Sequence, residues 1–224
     1  MAEQMTIEQI EAQEKFNSGT SPTKNSKFDR DGYLFVPDLY DPKELYRPVP
    51  DERGLINYWG KRAEQFNYDP LERQVEGSIA TYWHPQYRSI HSQIRLKLEK
   101  IIGCQLYNTY YYDRFYFPGQ ELKIHCDRPA CEISVSIHVS STISNPWLLW
   151  IKTCNGEHHG VDLSPGDGLI YKGCERPHWR NPLPVEYQRT WYGKRTFKEG
   201  TYYHQIFFHY VLANGKRSHH AFDR

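Results

Sequence analysis

Between Lys123 and Ser140 the chain reads KIHCDRPACEISVSIHVS, which places His125 and Asp127 two positions apart. In extended backbone, residues i and i+2 point to the same side. An imidazole and a carboxylate would therefore face one point. A third donor of matching type is His178, in LSPGDGLIYKGCERPHWRNPL, after a PGDG turn and beside a proline. Two imidazoles and one carboxylate on one face of an octahedral ion leave three positions open, enough for a chelating co-substrate and dioxygen at Fe(II). With 11 histidines in 224 residues, an HxD followed by a distant His also arises by chance. On the triple alone the plainer reading is favoured, the pair as a solvent-side contact and His178 as a turn residue, so the flanks must decide.

The elements that would position these side chains follow from periodicity. Pro85 to Gly103 repeats Tyr87, Ile90, Ile94, Leu98, Ile101 and Ile102 at steps that give one apolar helix face, and Gly103 stops it. The period then changes to two. LYNTYYYDRFYF, ELKIHC, CEISVSIHVS, WLLWIK, HHGVDL, GLIYK, PHWR and TYYHQIFFHYV are strand-like runs separated by PGQ, SNP, CNGE and SPGDG turns. In the third run Cys131, Ile133, Val135, Ile137 and Val139 form one face. Glu132, Ser134, Ser136, His138 and Ser140 form the other, a polar face suited to water or to a wet cavity. Eight short strands after one amphipathic helix predict a mainly β fold with flanking helices, a jelly-roll (double-stranded β-helix, cupin-like) barrel. Tyr33 to Val36 predicts a further strand. Asp51 to Tyr82 has no clean period and reads as irregular with short helices. The expected organisation is a flexible extension over 1–28, with a possible short helix at Ile7 to Phe16, then one domain over 29–224.

Composition narrows the classes. The net charge of +1, from 28 Lys plus Arg against 27 Asp plus Glu, predicts neither a nucleic-acid nor a membrane partner. Mean hydropathy is low at −0.79, yet aromatics reach 15%, so the core is expected to be built largely from rings. The N-terminal residues lack the pattern of a signal peptide, and the five cysteines form no CxxC pair. A reducing cytoplasmic location with mostly buried thiols is the expectation.

The flanks give the HxD its meaning. FYFPGQELKIHCD resembles the run before the HxD of prolyl-4-hydroxylase-like 2-oxoglutarate/Fe(II) dioxygenases. DRPACEIS, PGDGLIYKGCERPHWR and HQIFFHYV resemble a bacterial and viral branch of that superfamily. The resemblance spans Asp31 to Arg224 loosely and Tyr107 to Val211 well. It implies a double-stranded β-helix, Fe(II) held by His125, Asp127 and His178, and 2-oxoglutarate and O2 as co-substrates. The implied reaction is hydroxylation of an amino acid or peptidyl residue, proline being the first to consider, with release of succinate and CO2. Halogenating relatives replace the carboxylate with a small residue, so Asp127 argues against halogenation. Plain cupins share the barrel and the GQELKIHCD and PGDG…H pattern, and a metal-binding or small-molecule-binding protein without 2-oxoglutarate turnover is the alternative.

One family element is missing. These enzymes usually carry an Arg or Lys about ten residues after the distal His, on the final strand, to pair with the co-substrate C5 carboxylate. Here Tyr202 to Val211 contains neither. Arg189 has the spacing but falls in PVEYQRTWYGKRTFKEG, within an expected inserted loop at about 182–200. Strand parity with His178 nominates Arg180, whose guanidinium can take a carboxylate bidentately; the alternative is a rim residue paired with a surface acid. Tyr116 matches a family tyrosine that donates to 2-oxoglutarate, or is a packed barrel tyrosine. Ser136 and His138 are expected to line the cavity. Tyr203, Gln205 and His209 share an inward face of the last strand as candidate substrate or supporting groups. Of Trp147 and Trp150, at odd spacing, one is expected in the core and one at a lid or substrate wall. The insert after His178 is the expected place for substrate contacts.

Overall fold

The computed structural model describes residues 21–50 and 74–222. The helix expected at Ile7 to Phe16 and most of the stretch expected to be irregular, residues 51–73, lie outside the described residues. Ordered contacts begin before residue 29: Asn25 caps helix α1 (Ser26–Asp31) through its side chain, and Phe28 is fully buried. Strand β1 (Tyr33–Val36) and helix α2 (Pro42–Leu45) follow. Strand β2 (Ile79–Tyr82) lies where irregular chain was expected, because it gains its pairing from β3 rather than from any period of its own.

Helix α3 (Arg88–Ile102) forms as its pattern dictates and ends at Gly103, whose φ of 71° makes the left-handed C-cap. Its buried residues Ile90, Ile94, Leu98 and Ile102 pack against Ile133, Val135, Ile137 and Val139 of β5 (Ile133–Ser141), together with Ile206 and Phe208. Burial of each such side chain stabilises by roughly 1.5–3 kcal/mol. Helix α3 thereby fixes which face of the sheet is outer.

The strands expected from the eight runs all form. They are β3 (Leu106–Tyr116), β4 (Leu122–His125), β5, β6 (Leu149–Lys152), β7 (His158–Val161), β8 (Gly168–Tyr171), β9 (His178–Arg180) and β12 (Tyr203–Leu212). They make a six-stranded sheet, β1-β8-β5-β12-β3-β2, and a four-stranded sheet, β4-β9-β6-β7, with every pairing antiparallel. The chain alternates between the sheets from β3 to β6 and again from β7 to β12, which is the wrapping of a jelly roll, the double-stranded β-helix. Among the described residues, no helix is long and apolar enough to cross a membrane.

The insert is not a loop. Strands β10 (Tyr187–Arg189) and β11 (Arg195–Phe197) pair as a separate exposed ribbon, with Tyr187 opposite Phe197 and Arg189 opposite Arg195. Its root follows from the register of β9. In the β4–β9 pair His178 faces His125 and Arg180 faces Leu122, so the chain leaves β9 at the end away from the histidines. Leu183 then hydrogen-bonds Gly119 and Gln120. The ribbon therefore springs from the far end of the four-stranded sheet, not from beside the histidine pair.

Candidate metal centre

Antiparallel register sets His125, the last residue of β4, directly opposite His178, the first of β9, with ring centroids 4.3 Å apart. Each imidazole is oriented from behind. Nδ1 of His125 lies 2.8 Å from the Lys123 carbonyl, and Nδ1 of His178 lies 2.9 Å from the Arg176 carbonyl. A carbonyl only accepts, so Nδ1 carries the proton in both rings and Nε2 presents its lone pair. Burial first, then the neighbouring His125, pushes the His178 pKa down to about 4, so it is a neutral donor at physiological pH.

Asp127 lies past the end of β4, held where its backbone N–H donates to the Gly173 carbonyl at 2.9 Å. Its Oδ1 is 3.6 Å from Nε2 of both His125 and His178. Ligands about 2.1 Å from one ion stand roughly 3.0–3.4 Å apart, so these two separations need a contraction of only a few tenths of an ångström, and all three ligand atoms lie within 4.8 Å of one another. Its Oδ2 accepts from Ser134 Oγ at 2.9 Å, and Ser134 Oγ lies 3.0 Å from Nδ1 of His209. Burial acts to raise the Asp127 pKa, but His178, His125 and His209 outweigh it and hold the carboxyl well below its usual range. Two imidazoles and one ionised carboxylate, each with its rear atom already satisfied, fit a divalent ion of the iron class.

A second set, Asp127, Cys131 and His209, also lies within ligand reach. Burial raises the Cys131 thiol strongly, and its sulfur is 3.2 Å from the Tyr110 hydroxyl, so it packs as a neutral thiol.

The polar face of β5 lines the barrel interior. Ser134 and Ser136 are fully buried and His138 is 4% exposed. His138 stacks on Tyr203 at 4.1 Å and directs Nδ1 to the Leu163 carbonyl, while burial pushes its pKa down to about 4. Arg180 is buried between the sheets. Its Nε donates to Gln205 Oε1 at 3.0 Å, one Nη to the Trp147 carbonyl, and the other to the Tyr203 hydroxyl at 3.2 Å. The Trp147 and Tyr203 rings flank the guanidinium at 4.5 and 4.6 Å. All these partners are neutral, and no carboxylate among the described residues pairs with Arg180. Of five N–H donors three are used, leaving one on each Nη, the pair that a carboxylate accepts side by side. A buried cation without a counter-ion is costly; a bound anion would relieve it. Unpaired Nε2 atoms on His138 and Gln205 mark further unmet hydrogen-bonding capacity in the same interior.

The other expected residues divide. Tyr116 is fully buried, its ring edge-on to Trp147, and Trp147 is core, while Trp150 stacks on Trp179 at the sheet surface. Arg189 stands apart, exposed on the ribbon. Three contributors were given no role in the sequence reading. Arg114 is fully buried, with one Nη 3.4 Å from the Tyr116 hydroxyl, and strand parity with Tyr116 was the signal for it. Ser134 was on the identified polar face, but its contact to Asp127 is tertiary. Gly173 has no local signal: an added Cβ would stand 2.4 Å from Asp127 Oδ2.

No protein-family model and no curated protein matches the sequence. Solved structures do match in fold. A prolyl-4-hydroxylase from Pseudomonas putida aligns over 83% of this chain and 95% of its own, with 14% identity and a TM-score of 0.54. HygX from Streptomyces hygroscopicus, solved with nickel and 2-oxoglutarate bound, aligns over 84% of this chain and 85% of its own (11% identity, TM-score 0.55). A prolyl hydroxylase from Trichoplax adhaerens, in complex with a peptide fragment of the hypoxia inducible factor oxygen degradation domain, aligns over 93% and 94% (11% identity, TM-score 0.56). At these identities the likeness establishes the fold.

Proposed function

We propose that this chain is an Fe(II)- and 2-oxoglutarate-dependent oxygenase that hydroxylates an unactivated C–H bond, with His125, Asp127 and His178 as the metal ligands. The observation that carries the reading is the pairing of two features inside one barrel. One is a rear-braced His-Asp-His triad; the other is a buried guanidinium, Arg180, with no anionic partner among the described residues. Bound there, iron with 2-oxoglutarate supplies the oxidative decarboxylation that yields succinate and CO2 and the insertion of oxygen into the C–H bond.

The chain's own residues do the positioning. Asp127 stays ionised, braced by Ser134 and the Gly173 carbonyl; both imidazoles turn Nε2 toward its Oδ1, and at His125 a bound ion would displace the Gln74 amide that lies 3.0 Å from Nε2. Arg180, fixed by Gln205, Trp147 and Tyr203, takes the distal carboxylate of the co-substrate in place of a final-strand Arg or Lys. His138, Ser136 and Tyr116 line the space beside it, and His209 braces Asp127 through Ser134. The structural relatives include enzymes acting on prolyl residues, so proline in a peptide, or a free amino acid, is the first substrate to test.

The test is succinate formation by iron-loaded protein in air with 2-oxoglutarate, screened across amino acids and proline-containing peptides. Substrate-stimulated succinate with a matching product mass increase of one oxygen is the expected result. Metal binding with no succinate under any substrate would favour the second reading, a cupin-like metal-binding protein, for which the absent final-strand cation is the support.

A further inference from the structure

A cleft of about 830 Å3 opens between the first turn of α3 and the β2–β3 edge of the six-stranded sheet. Rings from Trp83, Tyr111 and Phe222 contribute to its lining, with Trp83 edge-on to Tyr111 at 5.1 Å. Trp83 and Phe222 each have φ of 59°, a left-handed backbone that bulky side chains rarely adopt. Of the three non-glycine residues with positive φ among the described residues, these two line the same cleft. Both are pinned to one strand, since Trp83 N–H donates to the Tyr111 carbonyl at 3.2 Å and Phe222 N–H to the Asn108 carbonyl at 2.7 Å. Backbone strain concentrated on the walls of one hollow is a feature of ligand clamps.

The polar groups say what chemistry fits. Arg88, at the start of α3, is exposed and makes no ion pair among the described residues. Asn108 donates through Nδ2 to Ser92 Oγ at 3.1 Å, and its buried Oδ1 has no hydrogen-bond partner. The cleft thus offers ring walls, one cation and one acceptor awaiting an N–H.

We propose that this cleft binds an N-acylated aromatic amino-acid carboxylate, either free or as the last residue of a peptide. Its ring packs against Trp83 and Phe222, its amide N–H donates to Asn108 Oδ1, and its carboxylate pairs with Arg88. The site draws on none of the metal triad and stands whether or not the chain turns over 2-oxoglutarate.

Calorimetric titration of the full chain, kept metal-free with chelator, tests it with N-acetyl-L-phenylalanine as probe. Saturable binding is expected, weakened about tenfold by Arg88→Gln and to a similar degree when the probe is N-acetyl-L-phenylalaninamide, since each removes a charge-assisted contact. N-acetyl-L-alanine should not bind measurably. Trp83→Gly, in which glycine adopts φ of 59° freely although the indole's packing on the main core is lost, should still unfold cooperatively and should lose the probe. The peptide Gly-Gly-Gly-Phe separates the sources: tighter binding than the acetylated residue assigns a peptide terminus, equal or weaker binding the free form. No saturable heat up to about 20 mM probe, or undiminished affinity in Arg88→Gln, an exposed position that does not threaten folding, overturns the proposal.

Discussion

Asp127 must stay charged in a place that burial alone would make neutral, and its neighbours decide the matter. His178, His125 and His209 hold its pKa down, and Ser134 satisfies Oδ2 so that Oδ1 can face the histidines. Ser134→Ala should therefore leave the fold intact and lower Fe(II) affinity by about 10- to 100-fold, the usual effect of removing a brace behind a ligand. Unchanged affinity by metal titration would show that Oδ2 needs no support. At Arg180 the geometry of the fork matters as much as its charge. Arg180→Lys keeps the cation but loses the paired donors, so apparent 2-oxoglutarate affinity should fall at least about tenfold. Binding as tight as in the wild type would remove Arg180 from the carboxylate site.

At the scale of elements, β4, β9, β5 and β12 carry the side chains of the site, and the residues between strands set the tolerances. Gly173, between β8 and β9, leaves less than a methyl group of space beside Asp127 Oδ2 and the Cys131 carbonyl, both 2.4 Å from an added Cβ. Gly173→Ala should cost on the order of 1–3 kcal/mol by forced displacement and weaken metal binding with it, measured by denaturant unfolding and metal titration. The ribbon behaves oppositely. Trp191 is 96% exposed, and β10–β11 leaves the sheet at the end remote from the histidine pair. Trp191→Ala should stay within about 0.5 kcal/mol of wild-type stability and leave succinate formation unchanged; a large loss of turnover would bring the ribbon back to the substrate.

The same contrast shows what can be read from a sequence of this kind. Helix α3 and the eight barrel strands follow from period and turn residues because each buries one face, and a face is a local pattern. That His125, Asp127 and His178 stand together was legible because the flanking resemblance points to those three residues; parity spoke only for the first pair, and Asp127 lies past the end of β4. Strand β2 was not, since its pairing to β3 is a tertiary event over a stretch without alternation. Nor was the direction in which the insert leaves β9, which depends on register with β4. Arg114 lay on the readable face of β3 with Tyr116 and was passed over for want of a motif.

For the molecule as a whole, a polar interior makes stability depend on pH. Burial pushes the His91 pKa down to about 3 and that of His138 to about 4. In the unfolded chain histidine titrates near 6.5, so below that pH the unfolded state takes up protons that the folded state refuses. Their contribution is fully present above about pH 6.5 and is lost as pH falls toward 4, at up to about 1.4 kcal/mol per pH unit for each such proton. Chelator-treated protein should accordingly show a denaturation midpoint that climbs from pH 4.5 to 6.5 and then levels. A flat profile would mean that these imidazoles are open to water.

Whether one barrel holds a metal and an anionic chelator together is read directly by anaerobic spectroscopy. Titrating Fe(II) into the protein without oxygen and then adding 2-oxoglutarate should produce a visible metal-to-ligand charge-transfer band, absent in Asp127→Ala and weakened in Arg180→Lys. Metal that binds while 2-oxoglutarate raises no band would contradict the account.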